Sequence, residues 1–175
     1  MRPPNQTARD LLPTLLARHG PMAAADLAGR LGVSIATVHR LLQAQPRQVI
    51  SQGSARRARC AWRRPLRGVV ASLPLIEVDA QGRSHTVAQL DLKQPHGSCL
   101  DLAGSSWPVP DEARDGWWDG LPYVLQDMRP QGYLGRQLAR AQHQALGVSD
   151  NPQAWGDDDV AHVLSQVGSD CSGNL

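Results

Sequence analysis

Asp26-Leu27-Ala28-Gly29-Arg30-Leu31-Gly32-Val33-Ser34-Ile35-Ala36-Thr37-Val38-His39-Arg40-Leu41-Leu42 is the run on which the fold of the front of this chain turns. Its spacing predicts a helix over Met22 to Arg30, a break at Gly32-Val33, and a helix capped by Ser34 that runs to about Gln43 before Pro46 stops the pattern. Helices joined by so short a turn cross steeply. Ala28 is small where they come closest, and Gly32 supplies a turn whose positive φ is cheap only for glycine. Leu27, Leu31, Val33, Val38 and Leu41 point inward. Upstream, Leu11, Leu12, Leu15 and Leu16 form one apolar face of a helix over Asp10 to Arg18, ended by Gly20. Pro13 is tolerated in a first turn, which places that helix start near Asp10.

The run from Asp26 to Leu42 resembles the helix-turn-helix signature at every diagnostic position. Downstream, Gln48 to Ser51 reads as a short strand, Gln52-Gly53-Ser54 as a tight turn and Ala55 to Trp62 as the returning strand. This is the hairpin, or wing, of winged helix-turn-helix proteins. Arg56, Arg57 and Arg59 lie on its tip and return arm, Arg63, Arg64 and Arg67 continue the stripe, and no acid intervenes between Arg30 and Arg67. Arginine clustered without acids suits phosphate contact. Net charge is only +2, but it is split: Met1 to Gly68 holds twelve Arg against Asp10 and Asp26 (+10), and Val69 to Leu175 holds six bases against fourteen acids (−8). The front half is therefore expected to meet double-stranded DNA. Ser34, Ala36, Thr37, His39, Arg40 and Gln43 project from the third helix. Arg40 and Gln43 suit base edges, Ser34 and Thr37 suit phosphates, Ala36 suits a thymine methyl, and His39 is either a contact or a bland surface residue. Arg56 and Arg57 would grip backbone or minor groove.

At 41% hydrophobic residues the chain can build a real core. Cys60, Cys99 and Cys171 are odd in number and widely spaced, which suggests reduced thiols rather than a disulfide framework or metal knuckle. No apolar run approaches a membrane span and no signal peptide is evident, so a cytoplasmic location is expected. His96 and Cys99 lack a second ligand pair for zinc, and Ser105 and Ser106 lack a nucleophile elbow. No metal or cofactor is expected.

Beyond Arg67 a small antiparallel sheet is predicted: Leu73 to Val78, whose Pro74 favours an edge or a strand start, a turn at Asp79 to Gly82, His85 to Leu92, and Ser98 to Leu102. Tyr133 to Leu146 then reads as a helix with Leu134, Leu138, Ala141 and Ala145 on one stripe. Asp157 to Val167 is a second, its Asp157-Asp158-Asp159 run serving as a cap rather than a metal cluster. The fold class is α+β, with a winged helix-turn-helix over 1–68 and a second domain over 69–175.

Between sheet and helices stands Asp119-Gly120-Leu121-Pro122-Tyr123-Val124-Leu125-Gln126-Asp127-Met128-Arg129-Pro130-Gln131-Gly132-Tyr133-Leu134-Gly135-Arg136. It closely resembles a motif of HipA-family serine/threonine kinases, in the YjjJ-like branch with its own N-terminal DNA-binding domain. Gly168 to Leu175 is similar to that branch's next motif. The resemblance implies that 69–175 is a HipA N-terminal subdomain, marked by Asp119, Gly120, Leu121, Pro122, Asp127, Met128, Arg129, Pro130, Gln131 and Gly132. In the family, the phosphate loop and catalytic and metal-binding aspartates lie downstream of Leu175. This chain shows no P-loop, no His-Arg-Asp run, no Asp-Phe-Gly run and no Phe at all. It is expected to carry no enzyme active site and to be an N-terminal piece from a truncated or split gene or an expressed fragment. The resemblance implies toxin–antitoxin biology and promoter autoregulation. The rivals are a free-standing regulator whose rear domain senses a ligand or dimerises, and an antitoxin-like partner docking on a separately encoded kinase core. A homodimer would match a two-fold operator, although no heptad seam supplies its interface.

Overall fold

The computed structural model describes residues 4–105 and 107–167, so the motif expected over 168–175, with Cys171, lies outside the described residues, as does Ser106. The architecture is α+β. Helix α1 spans Pro4–His19 and carries Pro13 in its interior, not in its first turn. The reason is tertiary. Ala8, Leu12 and Leu16 recur at i, i+4 and i+8 and are all buried, so one packed stripe runs straight past the proline. Leu11 leaves the expected face and is 47% exposed. Gly20 closes α1, its N–H reaching the Leu16 carbonyl at 3.0 Å. Met22 is not helical, because its backbone exchanges two hydrogen bonds with Cys60, at 2.9 and 2.8 Å.

Helix α2, Ala24–Leu31, ends in a left-handed Gly32 (φ 64°) whose N–H returns to Ala28. Helix α3, Ile35–Gln43, follows at once, capped by Ser34. Leu12, Leu16, Leu27 and Val38 are fully buried and share one core with Leu42, Val49 and Cys60. Each such leucine contributes about 2 kcal/mol of burial.

Strands β1, Val49–Gln52, and β2, Arg59–Trp62, form the antiparallel hairpin, with Ile50 opposite Ala61. Its return arm does not start at Ala55. Ala55–Arg57 form a 3-10 turn, closed by Arg57 N–H to Ser54 and Ala58 N–H to Ala55. Period-two alternation then splits the hairpin's contacts. Val49 and Cys60 enter the helical core, while Ile50 and Ala61 pack with Cys99 and Trp117 on the other side.

Those partners belong to a second sheet: β3 Ser72–Val78, β4 Ser84–Leu92, β5 Ser98–Cys99 and β6 Trp117–Trp118, all antiparallel in sequential order. Pro74 sits on the edge strand β3, opposite Gln89. The strand expected over Ser98 to Leu102 is only two residues long, and β6 was not foreseen. The hairpin is tied to this sheet by Arg64 N–H to the Leu92 carbonyl and Gln94 N–H to the Trp62 carbonyl, both at 2.8 Å. The Arg63 guanidinium adds an ion pair to Asp91 at 3.0 Å. The chain accordingly divides into compact units Met1–Asp119 and Gly120–Leu175. Residues 68 and 69 both lie in the first of these units, whose two sheets are joined by long-range pairing.

The second unit contains α4 Tyr123–Asp127, α5 Gly132–Leu146 and α6 Asp157–Val167. The α5 face differs from the expected stripe: Gly135 and Ala139 are buried, while Leu134 is 76% exposed and Ala141 and Ala145 face solvent. Close approach explains this, since a Cβ on Gly135 would lie 2.4 Å from the Pro130 carbonyl carbon. The acidic run also divides its work. Asp159 caps the Gly156 N–H, but Asp157 accepts from Leu121 N–H and the Gln126 side chain, each at 3.1 Å. No described helix is long and apolar enough to cross a membrane.

Candidate nucleic-acid interface

The outward side of α3 is built by its own period. With Val38 and Leu42 buried, Ser34, Ala36, His39, Arg40 and Gln43 are left exposed and Thr37 half-exposed. Three of them are linked along the helix. The Ser34 hydroxyl accepts from Thr37 N–H at 3.2 Å and lies 3.0 Å from the Thr37 hydroxyl. The Arg40 guanidinium donates to that same Thr37 oxygen at 3.1 Å. Ala36 presents a methyl group, and Gln43 a primary amide. Such an assortment can meet both base edges and phosphates.

The hairpin contributes cations. Arg56 and Arg57 are exposed on the 3-10 turn, and Arg59 is exposed at the start of β2. Gly53 makes the turn possible: its φ is +86°, and a Cβ there would stand 2.7 Å from the Arg57 carbonyl oxygen. The hairpin base is held to the helices through Val49 N–H to the Gln45 carbonyl and the Met22–Cys60 pairing, so the turn is presented from a packed support.

The arginine stripe is shorter than the sequence suggested. Arg63 and Arg64 are half-buried. Arg63 binds Asp91 and also donates to the Arg47 carbonyl, and Arg64 donates to the Lys93 carbonyl at 3.4 Å. These two hold the fold together. Conversely Arg47, just past α3, is exposed and was not singled out. The available signal was its place in the acid-free run between Arg30 and Arg67.

In the second unit the distinctive motif is chiefly a packing device. Leu121, Pro122, Val124, Leu125 and Pro130 are buried, and a Cβ on Gly120 would lie 2.8 Å from an Asp157 carboxylate oxygen. Arg129 does not pair with Asp127. Its guanidinium donates to the carbonyls of Pro152, at 3.0 Å, and Trp155. Asp127, Gln131 and Gly132 remain exposed beside a cleft of about 590 Å³, and Tyr133 next to them is 68% exposed. Asp119 belongs to the first unit, and Met128 is half-buried.

Comparison with known proteins fits this arrangement. The family described as YjjJ-like toxin, middle domain, matches residues 69–175. The IclR helix-turn-helix domain matches residues 8–44, which run from within α1 to the end of α3. Toxin YjjJ of Escherichia coli (strain K12) is 38% identical over 160 residues, covering 91% of this chain and 34% of the relative. The chain thus spans about a third of that relative's length. No solved structure gives a significant match.

Proposed function

Because the chain belongs to the YjjJ-like toxin family, we propose that it is the DNA-binding, regulatory part of a toxin protein. Helix α3 reads the major groove, with Arg40 and Gln43 on base edges, Ala36 on a thymine methyl, and His39 alongside. Arg56, Arg57 and Arg59 hold the phosphate backbone from the hairpin. The observation that carries this reading is an exposed, polar α3 capped by Ser34 and followed by a hairpin turn whose exposed arginines have no acid near them in sequence. The rear half, 69–175, serves in this proposal as the N-terminal subdomain of a HipA-like serine/threonine kinase. Catalysis then belongs to a kinase core outside these residues, and DNA binding in the cytoplasm autoregulates the toxin's own promoter.

The test is a salt titration of duplex binding. R56A/R57A is expected to weaken binding similarly on all sequences and to reduce the log–log salt slope by about 1.8, at roughly 0.9 per phosphate contact. An unchanged slope removes the hairpin from the interface.

A second reading has its own support. Tyr133 and Leu134 are 68% and 76% exposed within the family motif, beside Asp127 and Gln131. Apolar side chains left in water at such a place suit docking on a separately encoded kinase core. Co-purification with that core, abolished by Y133S/L134S, would favour this antitoxin-like role.

A further inference from the structure

We infer that Thr37 is a positioning residue for sequence reading: its hydroxyl holds the Arg40 guanidinium in place, so that preference for one guanine depends on a side chain that need not touch the base. This rests on the DNA-binding reading above and adds a division of labour within α3.

The geometry begins at the helix cap. Ser34 fixes the first turn by accepting from Thr37 N–H, and the two hydroxyls stand 3.0 Å apart. Threonine is β-branched and has few χ1 choices in a helix, so that contact aims its oxygen along the exposed side. Arg40, one turn further on, donates from Nη2 to the oxygen so aimed, at 3.1 Å. Nη2 carries two hydrogens. One is spent on Thr37, and the other remains with those of Nη1 as an end-on fork. That fork matches O6 and N7 of guanine.

Nothing acidic competes for the fork. The chain has no Asp or Glu between Asp26 and Glu77, and Arg40 makes no ion pair among the described residues. A free arginine at this position would lose much rotamer freedom on meeting a base. Held by Thr37, it has lost part of that freedom beforehand, which favours the duplex that the held conformer fits. By residue type alone Thr37 suits a phosphate contact. Its hydroxyl already meets two partners within its own helix, which makes orientation of Arg40 the better use of it.

The experiment uses the full chain. Wild-type protein selects duplexes from a randomised library, and binding is then measured on the selected duplex and each single-base-pair variant. R40A identifies the guanine, by loss of preference at one position. T37V, which keeps the shape and removes the hydroxyl, is expected to lower discrimination at that same position by about five-fold or more, within the range a bidentate contact supplies. It should leave the salt slope unchanged, and T37S should restore the preference. Uniform weakening by T37V on every duplex, with the slope reduced by about one, makes Thr37 a phosphate contact and overturns the inference. Wild-type discrimination in T37V overturns it as well. A wild-type chain that binds no duplex in dilute buffer overturns the DNA-binding reading, and the inference falls with it. The two failures are distinguished by whether the wild type binds.

Discussion

The same chemical change, glycine to alanine, should have opposite signs at two helix positions. In α5, a Cβ on Gly135 would stand 2.4, 2.8 and 3.2 Å from the carbonyl carbon, carbonyl oxygen and Cα of Pro130. All three are main-chain atoms. Pro130 is buried, and neighbouring Arg129 is pinned to the Pro152 and Trp155 carbonyls, so the loop cannot simply step aside. Overpacking of this kind costs about 1–3 kcal/mol, and the overlap puts Gly135 at or above the top of that range. The helix preference of alanine returns about 1 kcal/mol. G135A should therefore destabilise the second unit by about 2 kcal/mol. Gly29, in α2, has nothing within 4 Å of the same added atom. G29A should gain about 0.5–1 kcal/mol. Hydrogen exchange followed by mass spectrometry reads the two units separately. Amides of α5 and α6 should exchange about 30-fold faster in G135A, and those of α2 slower in G29A. Unchanged or increased protection of α5 in G135A would refute the close-approach explanation of the α5 face.

Two further outcomes concern buried ionisable groups in the first unit. Burial, and then the Asp91, Asp101 and Asp115 carboxylates, push the Cys99 thiol up to about 12. It should resist iodoacetamide at pH 8 in the native chain and react only in denaturant, and peptide-resolved mass spectrometry showing rapid native labelling of Cys99 would contradict this. Lys93 is 5% exposed, and burial lowers its pKa from 10.5, although Asp119 opposes the shift. Below that lowered value, folding buries a charge that water would hold better. Between the lowered value and 10.5 the unfolded chain binds more protons, so stability should rise with pH across that alkaline window. Urea midpoints for wild type and K93M should converge or diverge accordingly, with the mutant lacking that rise. A parallel pair of curves would rule out Lys93 as its source.

What the sequence disclosed follows the range of the forces involved. The α2–turn–α3 unit was legible because its determinants are neighbours: a cap at Ser34, a left-handed Gly32, and apolar residues at helical spacing. The β3–β4 hairpin was legible for the same reason, through alternation and the Asp79 to Gly82 turn. The failures are tertiary. Pro13 reads as a helix start until Ala8, one turn before Leu12, is found buried on the same stripe. The α5 face was misplaced because hydropathy prefers Leu134 to Gly135, whereas the local geometry needs a residue without a side chain. Two-residue β6 has too little length to show a period. At the candidate interface, the exposed residues of α3 and the hairpin turn were found, but local charge could not reveal that Arg63 has a partner twenty-eight residues away in Asp91.

The hairpin that presents Arg56 and Arg57 is claimed on both of its faces, by Leu42 and its neighbours on one side and by Cys99 and Trp117 on the other. Moving the helices and hairpin into another scaffold by cutting after Gly68 would therefore strip the Ile50–Ala61 face and strand it in water. A chimera built on this region has to carry the strands through Trp118 as well, or confine its exchange to the outward side chains of a single helix.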